Sequence, residues 1–149
     1  MHADHVEQTG SWQMSIQSRI DELGIELPDF ADGSYYGQSY GKMKSHHIVG
    51  NVLYLSGHTP VRNGEVLHPG RIGSDVTVEQ GYEAARLTGI NMIAGIKHAL
   101  GDLERVKGLI RCLCFVACEP DFNDVLRRSR RNRGPGHHWS RLEAHLVAE

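Results

Sequence analysis

One stretch, residues 50–75 (GNVLYLSGHTPVRNGEVLHPGRIGSD), constrains the fold more than any other part of the chain. Val52, Leu53, Tyr54 and Leu55 form a short β segment that runs directly into Ser56-Gly57. Gly immediately after a buried strand lets the backbone turn sharply, so that successive N–H groups can point at one ligand. Gly50-Asn51 separates this segment from an earlier one, residues 44–49, and is a credible hairpin turn. Asn63-Gly64 marks a second turn within the Pro-Gly-rich loop that follows.

A helix start comes next. Thr77 and Gln80 have the spacing of a capping box, in which each side chain satisfies an orphan backbone N–H of the other. Val78, Tyr82, Ala85, Gly89, Met92 or Ile93, Ile96 and Leu100 recur at helical spacing, and Gly101 supplies a stop. The small residues Ala85 and Gly89 predict close packing of this helix on a sheet. Residues 106–118 are nearly continuously apolar and read as a strand covered on both faces. Near the N-terminus, residues 15–23 read as a short amphipathic helix with Ile16, Ile20 and Leu23 on one face and Gly24 as its stop. The order helix, strand, strand, helix, strand belongs to the α+β class.

The chain has 149 residues, enough for one domain with a core. It is 40% hydrophobic and 23% charged, as globular proteins are, and its longest apolar run is far below the ~20 residues that span a bilayer. The polar N-terminus lacks the apolar stretch of a secretory leader. A cytoplasmic protein without membrane association is therefore expected. Cys112, Cys114 and Cys118 are an odd set, which fits buried reduced thiols on a strand better than a disulfide framework. The histidines, ten in all, show no metal-ligand spacing. His46-His47 and His137-His138 are adjacent pairs, whose members point to opposite faces of a strand, so no metal site is expected.

Charge divides the chain unevenly. Residues 124–149 carry six arginines against Asp124, Glu143 and Glu149, a net of +3, which leaves −5 on residues 1–123. Residues 1–13 read as a polar, disordered extension, residues 14–125 as the domain, and residues 126–149 as an atypical arginine-rich tail. The tail has three readings: a flexible phosphate-binding segment, a solvated tail, or the product of a shifted reading frame, which the abrupt loss of pattern near Val125 favours. If it supplies no strand, the sheet keeps an open edge and low stability follows.

Gly50-Asn51, Leu55-Ser56-Gly57 with Pro60, Gly73 with Asp75, residues 79–96, Gly101-Asp102-Leu103, and Phe115-Val116 with Asp121-Phe122 follow one another in an order and spacing that resemble the RidA/YjgF family, also called the endoribonuclease L-PSP family. The resemblance covers roughly residues 14–125. It implies a chorismate-mutase-like sheet with helices packed on one face, here with an incomplete C-terminal part. It also implies a homotrimer with ligand clefts between subunits, no cofactor, and either hydrolysis of reactive enamines or imines to 2-keto acids and ammonia or an RNA-directed activity. The alternatives to catalysis are ligand sensing without turnover and RNA binding or cleavage. The acidic body argues against broad RNA binding.

Residue by residue, the resemblance assigns Ser56 and Gly57 to the ligand loop. His58 stands where the family commonly has Gln, and would act as an acid or base near neutral pH. Met43 occupies a position that is often tyrosine, and Tyr40 is the nearest substitute. The asparagine of deaminating relatives falls near Leu126. Arg141, beside Ser140 in reversed order, is the candidate to bind the carboxylate of a small ligand, a task that suits the guanidinium fork.

Overall fold

The computed structural model describes residues 14–30, 43–122 and the backbone of residues 142–148. Its elements in chain order are α1 (Ile16–Glu22), β1 (His46–Val49), β2 (Val52–Leu55), β3 (Val61–Arg62), β4 (Glu65–Val66), α2 (Val78–Leu100), β5 (Val106–Cys114) and β6 (Leu142–Ala148), with a single 3₁₀ turn at Leu103–Arg105 before β5. The class is α+β, as the sequence predicts.

Local signals set the boundaries. Ser15 caps α1, its side chain accepting from the Ser18 N–H, and Gly24 follows the helix at φ +60°. Thr77 caps α2, and both halves of the capping box form: Thr77 Oγ1 accepts from the Gln80 N–H at 3.2 Å, and Gln80 Oε1 accepts from the Thr77 N–H at 2.9 Å. Gly101 ends α2 at φ +77°. Two-residue turns join both hairpins. Val49 pairs with Val52 across Gly50-Asn51, and Arg62 pairs with Glu65 across Asn63-Gly64, where both turn residues have positive φ.

The main sheet has the order β1-β2-β6-β5 and every pairing in it is antiparallel. β2 alternates as a half-buried strand does, with Leu53 and Leu55 buried and Tyr54 exposed. Leu53 and Leu55 meet Ile20 of α1, Ile96 and Leu100 of α2, and Leu103 in one core cluster. Each such side chain contributes about 1.5–3 kcal/mol by leaving water. Lys97 Nζ donates to Gln17 Oε1, tying α1 to α2 at the surface.

Four expectations are corrected. The sheet does not lack a closing strand after Val125, since β6 pairs with β2 on one side and β5 on the other. Its sequence, LEAHLVA, follows a run of arginines that makes the whole segment read as a tail. Residues 126–141 lie outside the described residues. The strand at residues 106–118 ends at Cys114 and is not covered on both faces; β5, like β1, is an edge strand, and Leu109 and Ile110 are exposed. Cys112 and Cys114 are therefore exposed as well. Finally, Ala85 and Gly89 do not face the sheet: Ala85 is exposed, and a Cβ on Gly89 would meet nothing within 4 Å. The buried face of α2 is Leu87, Ile90, Asn91, Ala94, Ile96 and Leu100, while Val78 and Tyr82 stay exposed. Apolar spacing placed Ile96 and Leu100 on the buried face, but in the first half of the helix contact with the loop after β2 chose a different one.

Replacing Thr77 with Ala removes an N-cap oxygen and half of a capping box, so we expect a loss of about 1 kcal/mol in urea unfolding with an unchanged m-value. A loss well below this would mean that the first turn of α2 does not depend on its cap.

Candidate functional site

The loop after β2, residues 56–61, is held from two sides. On one side, Ser56 is tied to the start of β1: its N–H donates to the Ser45 carbonyl at 2.9 Å, and its Oγ donates to the Lys44 carbonyl at 2.5 Å. On the other, the side-chain amide of Asn91, from the middle of α2, donates to the Thr59 carbonyl at 3.0 Å and the Val61 carbonyl at 2.9 Å. Asn91 is 1% exposed. Thr59 and Val61 are both half-buried, and the Thr59 carbonyl also accepts from the Val61 N–H at 2.8 Å. One amide from α2 thus fixes two points of the loop at once. Sequence reasoning missed Asn91. The available signal is a lone polar residue inside the apolar run Ile90-Asn91-Met92-Ile93.

The loop borders two hollows. Pro60 forms part of a cleft of about 280 Å³, closed by Ile72, Thr88 of α2, Cys114 at the end of β5, and Phe115. A wider hollow of about 510 Å³ has Val61, Arg62 and Asn91 in its walls, opposite Asp29 and Phe30. The segment from His68 to Val76 shapes the first cleft. Ile72 is strapped to the chain after β5, its N–H donating to the Ala117 carbonyl and its carbonyl accepting from the Glu119 N–H, both at 3.0 Å. Asp75 Oδ2 accepts from the Arg71 N–H and from Ser74 Oγ. Gly70 needs its φ of +137° here, because a Cβ would lie 2.6 Å from the Cβ of Asp75. At the rim, His68 Nε2 lies 2.8 Å from Glu83 Oε2.

The chemistry of this cleft is mostly apolar. Although Cys114 keeps an exposed surface, partial desolvation by its neighbours, then the adjacent Cys112, raises the pKa of its thiol, so it presents a neutral S–H near pH 7. Among the described residues, no arginine or lysine lines the 280 Å³ cleft. Nor is any group of three or more His, Cys, Asp or Glu side chains placed to hold a metal ion, again among the described residues.

The expected site residues fare differently. Ser56 and Gly57 sit together at the strand end, Ser56 half-buried and Gly57 buried. His58 follows them but is 0% exposed, its ring stacked on Phe30 with centroids 6.2 Å apart and planes 18° apart. Burial lowers its pKa from 6.5 to about 4, against an opposing hydrogen bond with the Ser56 backbone. His58 is therefore a neutral packing residue behind the loop, not a solvent-facing acid or base near neutral pH. Sequence could not show this, because Phe30 is distant in the chain. Tyr40 and Arg141 lie outside the described residues.

The profile of the family described as "YjgF/chorismate mutase-like, putative endoribonuclease" matches residues 17–119, more than half of the chain. The chain belongs to the YjgF family. The YjgF similarity extends to Protein TCP17 of Trypanosoma cruzi, 30% identical over 109 residues, which are 73% of this chain and 64% of that protein. The chain thus spans less than two thirds of that relative's length. Among solved structures, the protein Atu1372 of Agrobacterium tumefaciens, of unknown function, superposes with a TM-score of 0.69 at 26% identity, over 91% of this chain and 94% of its own. A structure from Shewanella oneidensis MR-1, titled a putative endoribonuclease, gives 0.68 at 25% identity, over 90% and 99%. These similarities agree with the YjgF/chorismate-mutase-like sheet described above. No helix among the described residues is long and apolar enough to cross a membrane.

The buried His58 carries a pH signature. The unfolded chain takes up a proton on this ring near pH 6.5, whereas the folded chain does so only near pH 4. Between these values the unfolded state binds more protons, so stability falls as pH falls through that window, by about 3 kcal/mol in full. Thermal melts at pH 6.5, 5.5 and 4.5 should show a steeper decline for the unsubstituted chain than for His58→Phe. Parallel declines would contradict a neutral, buried His58.

Proposed function

We propose that this chain binds a small carboxylate-bearing molecule in a cleft completed by a second copy of the chain, within a homotrimer. The reaction such a site supports is hydrolysis of a reactive enamine or imine to a 2-keto acid and ammonia. The observation that carries the reading is the strand-end loop, residues 56–61, immobilised by Ser56 and Asn91 beside an apolar cleft. Exposed Leu109 and Ile110 on the edge strand β5 favour completion by another copy, since such edges pair readily.

The chemistry asks little of the protein. An imine carbon is already electrophilic, and water adds to it once both are oriented; the resulting carbinolamine then expels ammonia. A preorganised backbone and a cation for the substrate carboxylate supply most of what the reaction needs. Ser56 and Gly57 are the loop groups we assign to the ligand, and the family resemblance makes Arg141 the candidate carboxylate anchor and Tyr40 a candidate ligand contact. His58 enters only by packing behind the loop.

Ligand sensing without turnover is the second reading. The absence of a cation among the described residues of the cleft favours it. An RNA-directed role has the wording of the family description and of the Shewanella structure in its favour. The net charge of −5 on residues 1–123 weighs against it, because phosphate contacts need a basic surface.

An amino-acid oxidase that generates imine in situ separates these readings. We expect the chain to accelerate imine loss over buffer and Arg141→Ala to abolish the acceleration. Folded protein that gives no acceleration but shows a ligand-dependent thermal shift would overturn catalysis in favour of sensing. Salt-sensitive RNA retention without imine hydrolysis would overturn both.

A further inference from the structure

We propose that His46 of β1 and His98 of α2 together bind a divalent transition ion such as Zn²⁺, Cu²⁺ or Ni²⁺, with water completing its coordination. The two imidazoles come from different elements and meet edge to face, with centroids 6.0 Å apart and planes at 81°. An ion about 2.1 Å from one nitrogen of each ring brings two ring centres to roughly 5–6.5 Å from one another. The observed centroid spacing lies within that range, and one ring must rotate from the edge-to-face arrangement so that both nitrogens point at the ion.

The surroundings suit the task. Ser45 Oγ lies 3.0 Å from His46 Nδ1. A ring that donates from Nδ1 keeps its lone pair on Nε2, and outer partners of this kind orient metal-binding histidines. His98 is exposed in the last turn of α2, so its ring turns without disturbing the core. On the His46 side, an open hollow bounded by Lys44, Ser45, His46 and His47 admits solvent. Imidazole is the ligand type that selects zinc, copper and nickel over magnesium and calcium. Two protein ligands make this an exchangeable site, unlike the closed four-ligand sites that hold structural zinc. Chain spacing gives no sign of it, because His46 and His98 become neighbours only when the β1-β2 hairpin folds against the end of α2.

The site also adjoins the candidate ligand loop. His46 directly follows Ser45 and Lys44, whose carbonyls hold Ser56. An ion that clamps β1 to α2 therefore braces the same backbone that fixes the strand-end loop. The proposal does not depend on what the loop binds.

Thermal melts of the full chain in ZnCl₂ or NiCl₂ test it, with EDTA as the reference. An ion at ten times its dissociation constant should raise Tm by roughly 3–10 °C. His46→Phe and His98→Phe keep an aromatic edge but lose the nitrogen lone pair, and each should abolish the rise. His47 neighbours His46 but sits on the opposite face of β1, so His47→Ala should keep it. Absence of a rise in the unsubstituted chain overturns the proposal. So does a rise that survives either phenylalanine substitution, which would place the ion on other histidines, and so does loss of the rise in His47→Ala.

Discussion

A single buried amide organises this molecule around its candidate site. Asn91 projects from α2 and donates to the carbonyls of Thr59 and Val61. Without it, the Thr59 carbonyl would keep only the Val61 N–H and the Val61 carbonyl would lose its tie to α2, so the chain between β2 and β3 would no longer be pinned to the helix. Because α2 is itself anchored through Ile96 and Leu100 against Leu53 and Leu55, the loop inherits the rigidity of the core. The cleft beside Pro60 and the hollow beside Val61 lie along the same immobilised stretch. Ser56, tied to β1, fixes the opposite end. The strand end is thus preorganised before any ligand arrives, which is the condition for orienting a substrate at little entropic cost.

Much of the fold was legible because its signals are local. The Gly50-Asn51 and Asn63-Gly64 turns, the Thr77–Gln80 capping box, and the stops at Gly24 and Gly101 each depend on a few adjacent residues, and each appears where it was expected. What was not legible depends on partners far along the chain. Periodicity placed Ile96 and Leu100 of α2 correctly in the core, but its first half, Tyr82, Ala85 and Gly89, missed the buried face there, which runs through Leu87, Ile90, Asn91 and Ala94. The apolar run of β5 looked like a strand covered on both sides, but its place at the sheet edge leaves Leu109 and Ile110 in water. β6 was hidden by the arginine-rich sequence before it, which made residues 126–149 read as one tail. Each of these errors concerns which neighbour an element meets, and one strand or helix cannot encode that alone.

The candidate site was legible in the same uneven way. Ser56 and Gly57 were found from the strand-loop order, and the resemblance to the YjgF family that this order carries agrees with the profile match over residues 17–119. His58 was misread because its identity invites acid–base chemistry while its surroundings, Phe30 above all, forbid charge. Asn91 was overlooked because a polar residue on an apolar helix looks incidental until its two carbonyl partners are seen. The scaffold is shared with proteins of Agrobacterium tumefaciens and Shewanella oneidensis at 25–26% identity.

The central claim is that the strand-end loop is rigid in the absence of ligand because backbone clamps hold it. Native-state hydrogen exchange measures this directly, at the Ser56 amide that donates to Ser45 and at the Val61 amide that donates to Thr59. Both should be protected nearly as well as the core amides of α2 around Ile90, and Asn91→Leu should lower the protection at Val61 far more than in α1. Exchange at Ser56 and Val61 as fast as at the exposed Asn63-Gly64 turn would contradict the account.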